Sequence, residues 1–409
     1  MSPNKNPERK SVFMDSNTLI VTEVKNNDKK MEKTPGELIK EKRLKLNMTQ
    51  KELADAIGLP KHGDRTIRRW ESGETSPSKL EVKAILDFPE NPPFPNPTNA
   101  KYKMIDLFAG IGGTRLGFQL HGNVKSVFSS EWDKFSQKTY QANFGEVPEG
   151  DITKIDENDI PDHDILVAGF PCQAFSQAGL KKGFEDTRGT LFFDIARILK
   201  AKRPKTFLLE NVKNLRGHDK GRTFEIITNT LEELNYKVFA TVLNARDFGV
   251  PQNRERIYIV GFDKEYFDGD IPFDFPTPPM TETRVGDILQ KEVDDKYTIS
   301  DRLWEGHQRR KREHKQKGNG FGYTLFEEDS PYTNTISARY YKDGSEILIK
   351  QENKNPRKIT PREALRLQGF PENFIIPVSD TQAYKQFGNS IPVPVVYAIA
   401  REILNVLEK

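Results

Sequence analysis

Apolar and polar positions alternate in blocks along most of the chain. Short apolar runs at residues 104–108, 125–129, 165–169, 205–209, 238–243 and 256–261 read as strands, and amphipathic stretches such as 190–199 and 222–234 read as helices between them. That alternation predicts an α/β fold with a mostly parallel sheet and helices on both faces. It stops after Phe262. Residues 263–350 are irregular, aromatic and charged, and a helical pattern returns at 395–407.

The N-terminal hundred residues follow another rhythm. Residues 1–33 are polar and rich in Lys and Asn, which predicts a flexible arm. Thr34 with Glu37, and Thr49 with Glu52, each form a Thr-x-x-Glu capping box, placing helices at 34–46 and 49–57. Gly58 suits the left-handed C-cap position. A third helical run at 65–71 ends near Gly73, and 80–86 can close a small bundle, giving an all-α unit over 34–87. Five prolines between Phe88 and Asn99 predict an extended, semi-rigid linker over 88–100 that spaces two domains without packing into either.

Length and composition change this picture little. At 409 residues the chain should hold two or three domains, and 35% apolar with 30% charged residues suits a globular core. No run approaches the roughly 18 consecutive apolar residues of a membrane span, and the polar start lacks the apolar stretch of a secretory signal. A cytoplasmic protein is expected. The net charge of +3 permits nucleic-acid binding without demanding it.

Candidate chemistry centres on Cys172, the only cysteine, in the run Gly169-Phe170-Pro171-Cys172-Gln173-Ala174-Phe175-Ser176. A lone thiol makes no internal disulfide and no multi-cysteine metal site, so it is core filler or a nucleophile. Its place after a strand-like run, at a Gly-Pro turn, favours a ligand-facing loop. The glycine turn Phe108-Ala109-Gly110-Ile111-Gly112-Gly113 follows the first strand, and Glu131 ends the second. Such a turn lets backbone approach a ligand, and a carboxylate at that distance can accept ribose hydroxyls. The turn is one residue tighter than the dinucleotide fingerprint, so a nucleoside without phosphates fits better than NAD. Glu210 stands at a strand end behind an apolar run, where desolvation would raise its pKa; capping of the next helix is the alternative. Arg254 and Arg256 sit one residue apart on extended backbone and so converge on one site, unless they only form surface ion pairs.

Six motifs in order resemble those of the DNA (cytosine-5) methyltransferases. They are the glycine turn at 108–113, Gly169-Phe170-Pro171-Cys172, Glu210-Asn211-Val212, Gln252-Asn253-Arg254-Glu255-Arg256, the run 362–371, and Gly388-Asn389-Ser390. The resemblance runs from about residue 103 to the C-terminus and is similar to that of restriction-modification enzymes. It implies a Rossmann-like S-adenosylmethionine-dependent methyltransferase domain over 101–262 and 388–409, with a smaller irregular target-recognition domain and hinge over 263–387. Cys172 would attack cytosine C6, Glu210 would protonate or hydrogen-bond N3, Arg256 would hold O2, and Arg254 would support the site. Phe108, Gly110, Gly112, Glu131, Trp132, Asp151, Ile152, Asn389 and Ser390 would bind S-adenosyl-L-methionine and its product S-adenosyl-L-homocysteine, with no metal. Trp132 would lie on the adenine or pack as a core aromatic.

The resemblance also implies double-stranded DNA as partner, a flipped target base, and a monomer in catalysis. Arg309, Arg310 and Arg312 would contact phosphates, or form a solvated helix face, while Thr335 and Arg339 fall in the recognition segment. Residues 48–54 and 67–73 resemble the helix-turn-helix of phage repressors, which would place Arg65, Arg68 and Arg69 on a helix in the major groove and could let the protein regulate its own promoter. The connection from Leu59 to Asp64 is longer than usual there. Alternatives from these residues are a tRNA cytosine methyltransferase and a transcriptional regulator.

Overall fold

The computed structural model describes residues 33–46, 48–57, 59, 62–171, 191–320 and 322–409. The expected arm at 1–32, the C-cap Gly58, and Cys172 with the residues after it therefore lie outside the described residues.

Four helices open the fold: α1 (Pro35–Lys45), α2 (Gln50–Ala56), α3 (Gly63–Glu71) and α4 (Lys79–Leu86). Both anticipated capping boxes form. The Thr34 hydroxyl accepts from the Glu37 amide while Glu37 accepts from the Thr34 amide, and Thr49 and Glu52 do the same. A third box, Ser78 with Glu81, starts α4. Ile39, Leu53, Ile67 and Ile85 are all 0% exposed, so each helix supplies only one or two apolar core residues and none is stable alone. Arg43 Nε donates to Glu71 at 2.6 Å, tying α1 to α3. The third helix starts two residues earlier than the sequence pattern suggested, after a left-handed His62 (φ 70°).

The larger body holds a six-stranded sheet. In chain order come β1 (Tyr102–Leu107), α5 (Gly113–Gln119), β2 (Val124–Ser130), α6 (Lys134–Phe144), β3 (Ile165–Gly169), α7 (Leu191–Lys202), β4 (Thr206–Val212), α8 (Arg222–Glu233), β5 (Tyr236–Asn244) and β6 (Glu255–Asp263). Spatial order is β2-β1-β3-β4-β6-β5, with β6 antiparallel to both its neighbours. The expected mostly parallel sheet is thus present with one reversed strand. Only ten residues separate β5 from β6, too few for the helical crossover a parallel pair requires. Between β1 and β3 the strand order reverses, and ligands of open α/β sheets bind outside the carboxyl ends of strands at such a switch point.

After β6 come α9 (Asp301–Gln316), a small sheet of β7 (Leu325–Phe326), β8 (Leu348–Ile349) and β9 (Arg357–Lys358), then α10 (Pro361–Leu367), α11 (Asp380–Asn389) and α12 (Val393–Leu407). Residues 263–350 were expected to be irregular, yet they hold the 16-residue α9. Its polar sequence buries only His307, so apolar periodicity left no signal there. Residues 380–407 are together apolar and long enough for a bilayer, but they divide at Ser390–Pro392, and Val396 and Ile399 are fully buried against the sheet.

The proline segment departs from expectation more clearly. Instead of standing free, it docks on the sheet edge. The Asn96 side chain accepts from the Ser126 amide at 2.9 Å and donates to the Ser126 carbonyl at 2.8 Å, which imitates strand pairing on β2. Gln119 Nε2 donates to the carbonyls of Phe94 and Pro95 at 2.9 and 2.7 Å. Prolines lack N–H groups but keep their carbonyls, so neighbouring side chains can supply the donors that a sheet would otherwise provide.

Candidate active site

A cleft of about 810 Å³ opens at the carboxyl ends of β1, β3 and β4. Backbone conformation shapes its floor. Phe108, Gly110 and Gly112 all have positive φ, at 55°, 55° and 84°. For Phe108 that conformation costs about 1–2 kcal/mol, a strain that here bends the chain sharply out of β1. At Gly112 a Cβ would lie 2.2 Å from the Phe144 ring, so only glycine lets α5 start this close to α6.

Glu131, just past β2, holds the turn in place. One carboxylate oxygen accepts from the Gly110 amide and the other from the Asp133 amide, each at 2.8 Å. Burial pushes its pKa up, and the amides of Asp133 and Gly110 oppose the rise. Trp132 is 78% exposed and borders the cleft, so it is not a core aromatic. Asp151 and Ile152 line the opposite edge, Asp151 capping the Thr153 amide at 3.1 Å and Ile152 packing beneath at 2% exposure. Asn389 and Ser390 come from the end of α11 and complete the lining. Below the turn, Asp106 is fully buried and neither oxygen meets a partner at bonding geometry. Burial pushes its pKa up to about 8, held back by the charge and backbone amide of Arg115, which favours the protonated carboxyl.

A second wall adjoins this nucleoside-sized space. Glu210 pairs in register with Gly169 of β3 on one side and Tyr258 of β6 on the other. Its Oε1 lies 3.0 Å from Arg256 Nε, with both side chains about one-seventh exposed, at 15% and 14%. Burial raises the Glu210 pKa, and Arg256 and then Arg254 restrain it. Asn211 Nδ2 donates to the Phe170 carbonyl at 2.8 Å, which fixes the turn leading to Pro171 at the cleft edge. The structure therefore brings Gly169, Glu210 and Arg256 together around a partly desolvated carboxylate, with Pro171, the last described residue of that turn, on the same rim.

Residues 102–405 match the family of C-5 cytosine-specific DNA methylases, and residues 39–93 match a helix-turn-helix family. The chain belongs to the C-5 cytosine-specific DNA methylases. It is 74% identical over 372 residues to Type II methyltransferase M1.ScrFI of Lactococcus lactis subsp. cremoris, covering 91% of this chain and 96% of the relative. With Type II methyltransferase M.SsoII of Shigella sonnei it shares 72% over 370 residues, covering 90% and 98%. Among solved structures, the Entamoeba histolytica methyltransferase EhMeth superimposes with a TM-score of 0.62 at 20% identity, over 76% of this chain and 99% of that one, which shows the shared fold. The protein is thus a DNA cytosine-5 methyltransferase of the restriction-modification kind with a helix-turn-helix domain.

In this methylase Arg254 lines the cleft beside Arg256, with most of its side chain turned into the protein. Its guanidinium is buried and donates to the carbonyls of Ile336 at 3.1 Å, Gly388 at 3.0 Å and Ser390 at 2.6 Å. The side chain fastens the segment around Ile336 and the cleft wall to the start of β6. Gln252 works beside it, accepting from the Ile336 amide at 3.1 Å and donating to the Leu367 carbonyl at 2.9 Å. At Gly388 a Cβ would fall 2.3 Å from the Ser337 carbonyl carbon, so two backbones touch there. Thr335 donates to the Asn253 carbonyl at 2.6 Å, while Arg339 is exposed.

The methylase's other arginines divide by freedom. Arg312 is exposed on α9, Arg309 is exposed there but ion-paired with Glu313 at 3.8 Å, and Arg310 is engaged with His307 at 2.9 Å and with Asp343 at 3.2 Å. Arg65, Arg68 and Arg69 all lie exposed on α3. Sequence reasoning missed Phe135 and the row Gln382, Lys385 and Gln386, which border the cleft together with Asn389. Their spacing of three, four and seven residues is a polar stripe on α11 that could have revealed them.

Proposed function

We propose that this methylase transfers a methyl group from S-adenosylmethionine to C5 of a flipped cytosine in a short duplex sequence, protecting DNA from a cognate endonuclease. The Glu210–Arg256 pair carries the reading: a carboxylate whose pKa is raised by burial, beside a cation, opposite a nucleoside-sized cleft. The cleft suits the methyl donor because it offers Glu131 toward a ribose and the exposed Trp132 toward a base. Phe108, Gly110, Gly112, Asp151, Ile152, Asn389 and Ser390 would complete its seat. When bound, that group supplies an electrophilic methyl.

The remaining work falls to the chain's own side chains. Cytosine C5 is a weak nucleophile until the ring gains electron density. The Cys172 thiolate adds to C6, since sulfur is soft and ionises near neutral pH. Charge then builds at N3, where a protonated Glu210 gives up its proton or a hydrogen bond. Arg256 donates to O2 and stabilises the same charge. After methylation the C5 proton passes to water, its bonding pair forms C5=C6, the C6–S pair leaves with Cys172 as thiolate, and N3 returns its proton to Glu210. C6 is inaccessible in a stacked duplex, so the base must leave the helix. Arg309, Arg312, Thr335 and Arg339 are the residues we assign to the DNA beside it, and a monomer carries every group named.

Labelled methyl donor incubated with mixed-sequence duplex DNA, and separately with tRNA, tests this. Label should appear at cytosine C5 of the duplex; transfer to tRNA alone, or to neither, overturns the reading. A second role is favoured by the exposed Arg65, Arg68 and Arg69 on α3, outside the catalytic body. We infer that this helix binds the protein's own promoter, so deleting residues 1–99 should empty that promoter in a footprinting assay. Unchanged occupancy would refute it.

A further inference from the structure

The segment leaving β4 has no role in the chemistry above, yet it starts at the active site. Val212 is 38% exposed, borders the cleft and pairs in register with Arg256. The next residues, Lys213–Gly221, form an irregular 3-10 stretch ending at the first residue of α8, Arg222. Leu215 is fully buried and anchors it. Its surface is basic: Lys213, Arg216, Lys220 and Arg222 are all exposed.

Ion pairing accounts for only half of these cations. Lys213 holds Glu255 at 2.9 Å and Arg222 holds Asp219 at 2.5 Å. Arg216 and Lys220 form no ion pair with a described residue, and Lys220 is offset only through its weaker attraction to the Asp219 carboxylate that Arg222 already holds. The backbone here is also unusual. Asp219 and Lys220 are both left-handed, with φ of 51° and 58°, ahead of Gly221 at 89°. Non-glycine residues seldom adopt that conformation, and it persists where the surroundings impose it, often at ligand-contacting segments. A protein partner would call for apolar anchors, and Leu215, the apolar residue of the stretch, is inside.

We propose that Lys213–Gly221 is a phosphate-gripping edge of the DNA site, with Arg216 and Lys220 each meeting one backbone phosphate next to the flipped cytosine. This rests on duplex DNA being the substrate, as argued above. It adds a contact surface that is separate from α9 and from the recognition segment, positioned by the same strand that carries Glu210.

The test uses the full chain and a short duplex that accepts label in the transfer assay. Binding is measured over a range of salt for the protein and for the double variant Arg216→Gln/Lys220→Gln. Each lost phosphate contact reduces the slope of log K against log salt by about 0.9, so the double variant should lower it by about 1.8. The helix-turn-helix domain is common to both proteins and cancels in the difference. The charge-keeping variant Arg216→Lys/Lys220→Arg should retain the slope. An unchanged slope in the first variant, or an equal loss in the second, overturns the proposal. If the parent protein does not methylate DNA at all, the functional reading fails instead, and the two failures are told apart by the transfer assay.

Discussion

Replacing Cys172 by Ser is expected to abolish methyl transfer, by about 10⁴-fold or more, while DNA affinity stays within about threefold. A hydroxyl remains protonated at neutral pH where a thiol is partly ionised, so the variant lacks the nucleophile that activates C5. The binding of DNA precedes that step and does not use sulfur. Duplex DNA containing 5-fluorocytosine sharpens the measurement, because fluorine at C5 cannot leave as a proton does and the adduct at C6 is trapped. With one cysteine in 409 residues, no second thiol can form that adduct. A denaturant-resistant complex should therefore appear with the parent protein and vanish with Cys172→Ser. If the complex persists in the variant, the nucleophile is another group. Affinity lost in proportion to activity would instead make Cys172 structural.

What could be read beforehand followed the range of the interactions. Capping boxes were legible because Thr34 and Glu37 are three residues apart and meet whatever the rest of the chain does. The glycine turn and Glu131 were legible because consecutive strands of a βαβ unit bring their ends together. Strand direction was less so: reversal of β6 depends on the length of its connection, which an apolar run does not encode. The basic run of α9 and the proline segment misled for related reasons. Composition gave their polarity and stiffness, but the Asn96–Ser126 pairing that docks the prolines is a contact across 30 residues. Arg254 is the extreme case. Its partners stand 82, 134 and 136 residues away, so a motif showed that the arginine was there without showing which way it turned.

That difference gives Arg254→Met the second largest expected effect, and of a different kind. The substitution keeps the length and apolar stem of the side chain and removes every donor. Carbonyls of Ile336, Gly388 and Ser390 would then be buried without partners. Breaking one side of a buried charged hydrogen-bond network costs about 3–5 kcal/mol, so the urea midpoint should fall clearly. Burial already drives the Arg254 pKa down to about 9, with Arg256 adding to the fall and Glu210 opposing it. Lysine starts about two pKa units below arginine. Arg254→Lys lacks the planar fork that reaches three carbonyls at once, and burial disfavours its charged form, so it should rescue little. Transfer should drop with stability, because Ser390 borders the cleft and Arg254 ties it to the segment around Ile336. An unchanged urea midpoint with lost activity would give Arg254 a direct part in the chemistry, beyond the supporting role its motif implied. A lowered midpoint makes it the tie that holds the DNA-reading segment in register with the catalytic wall.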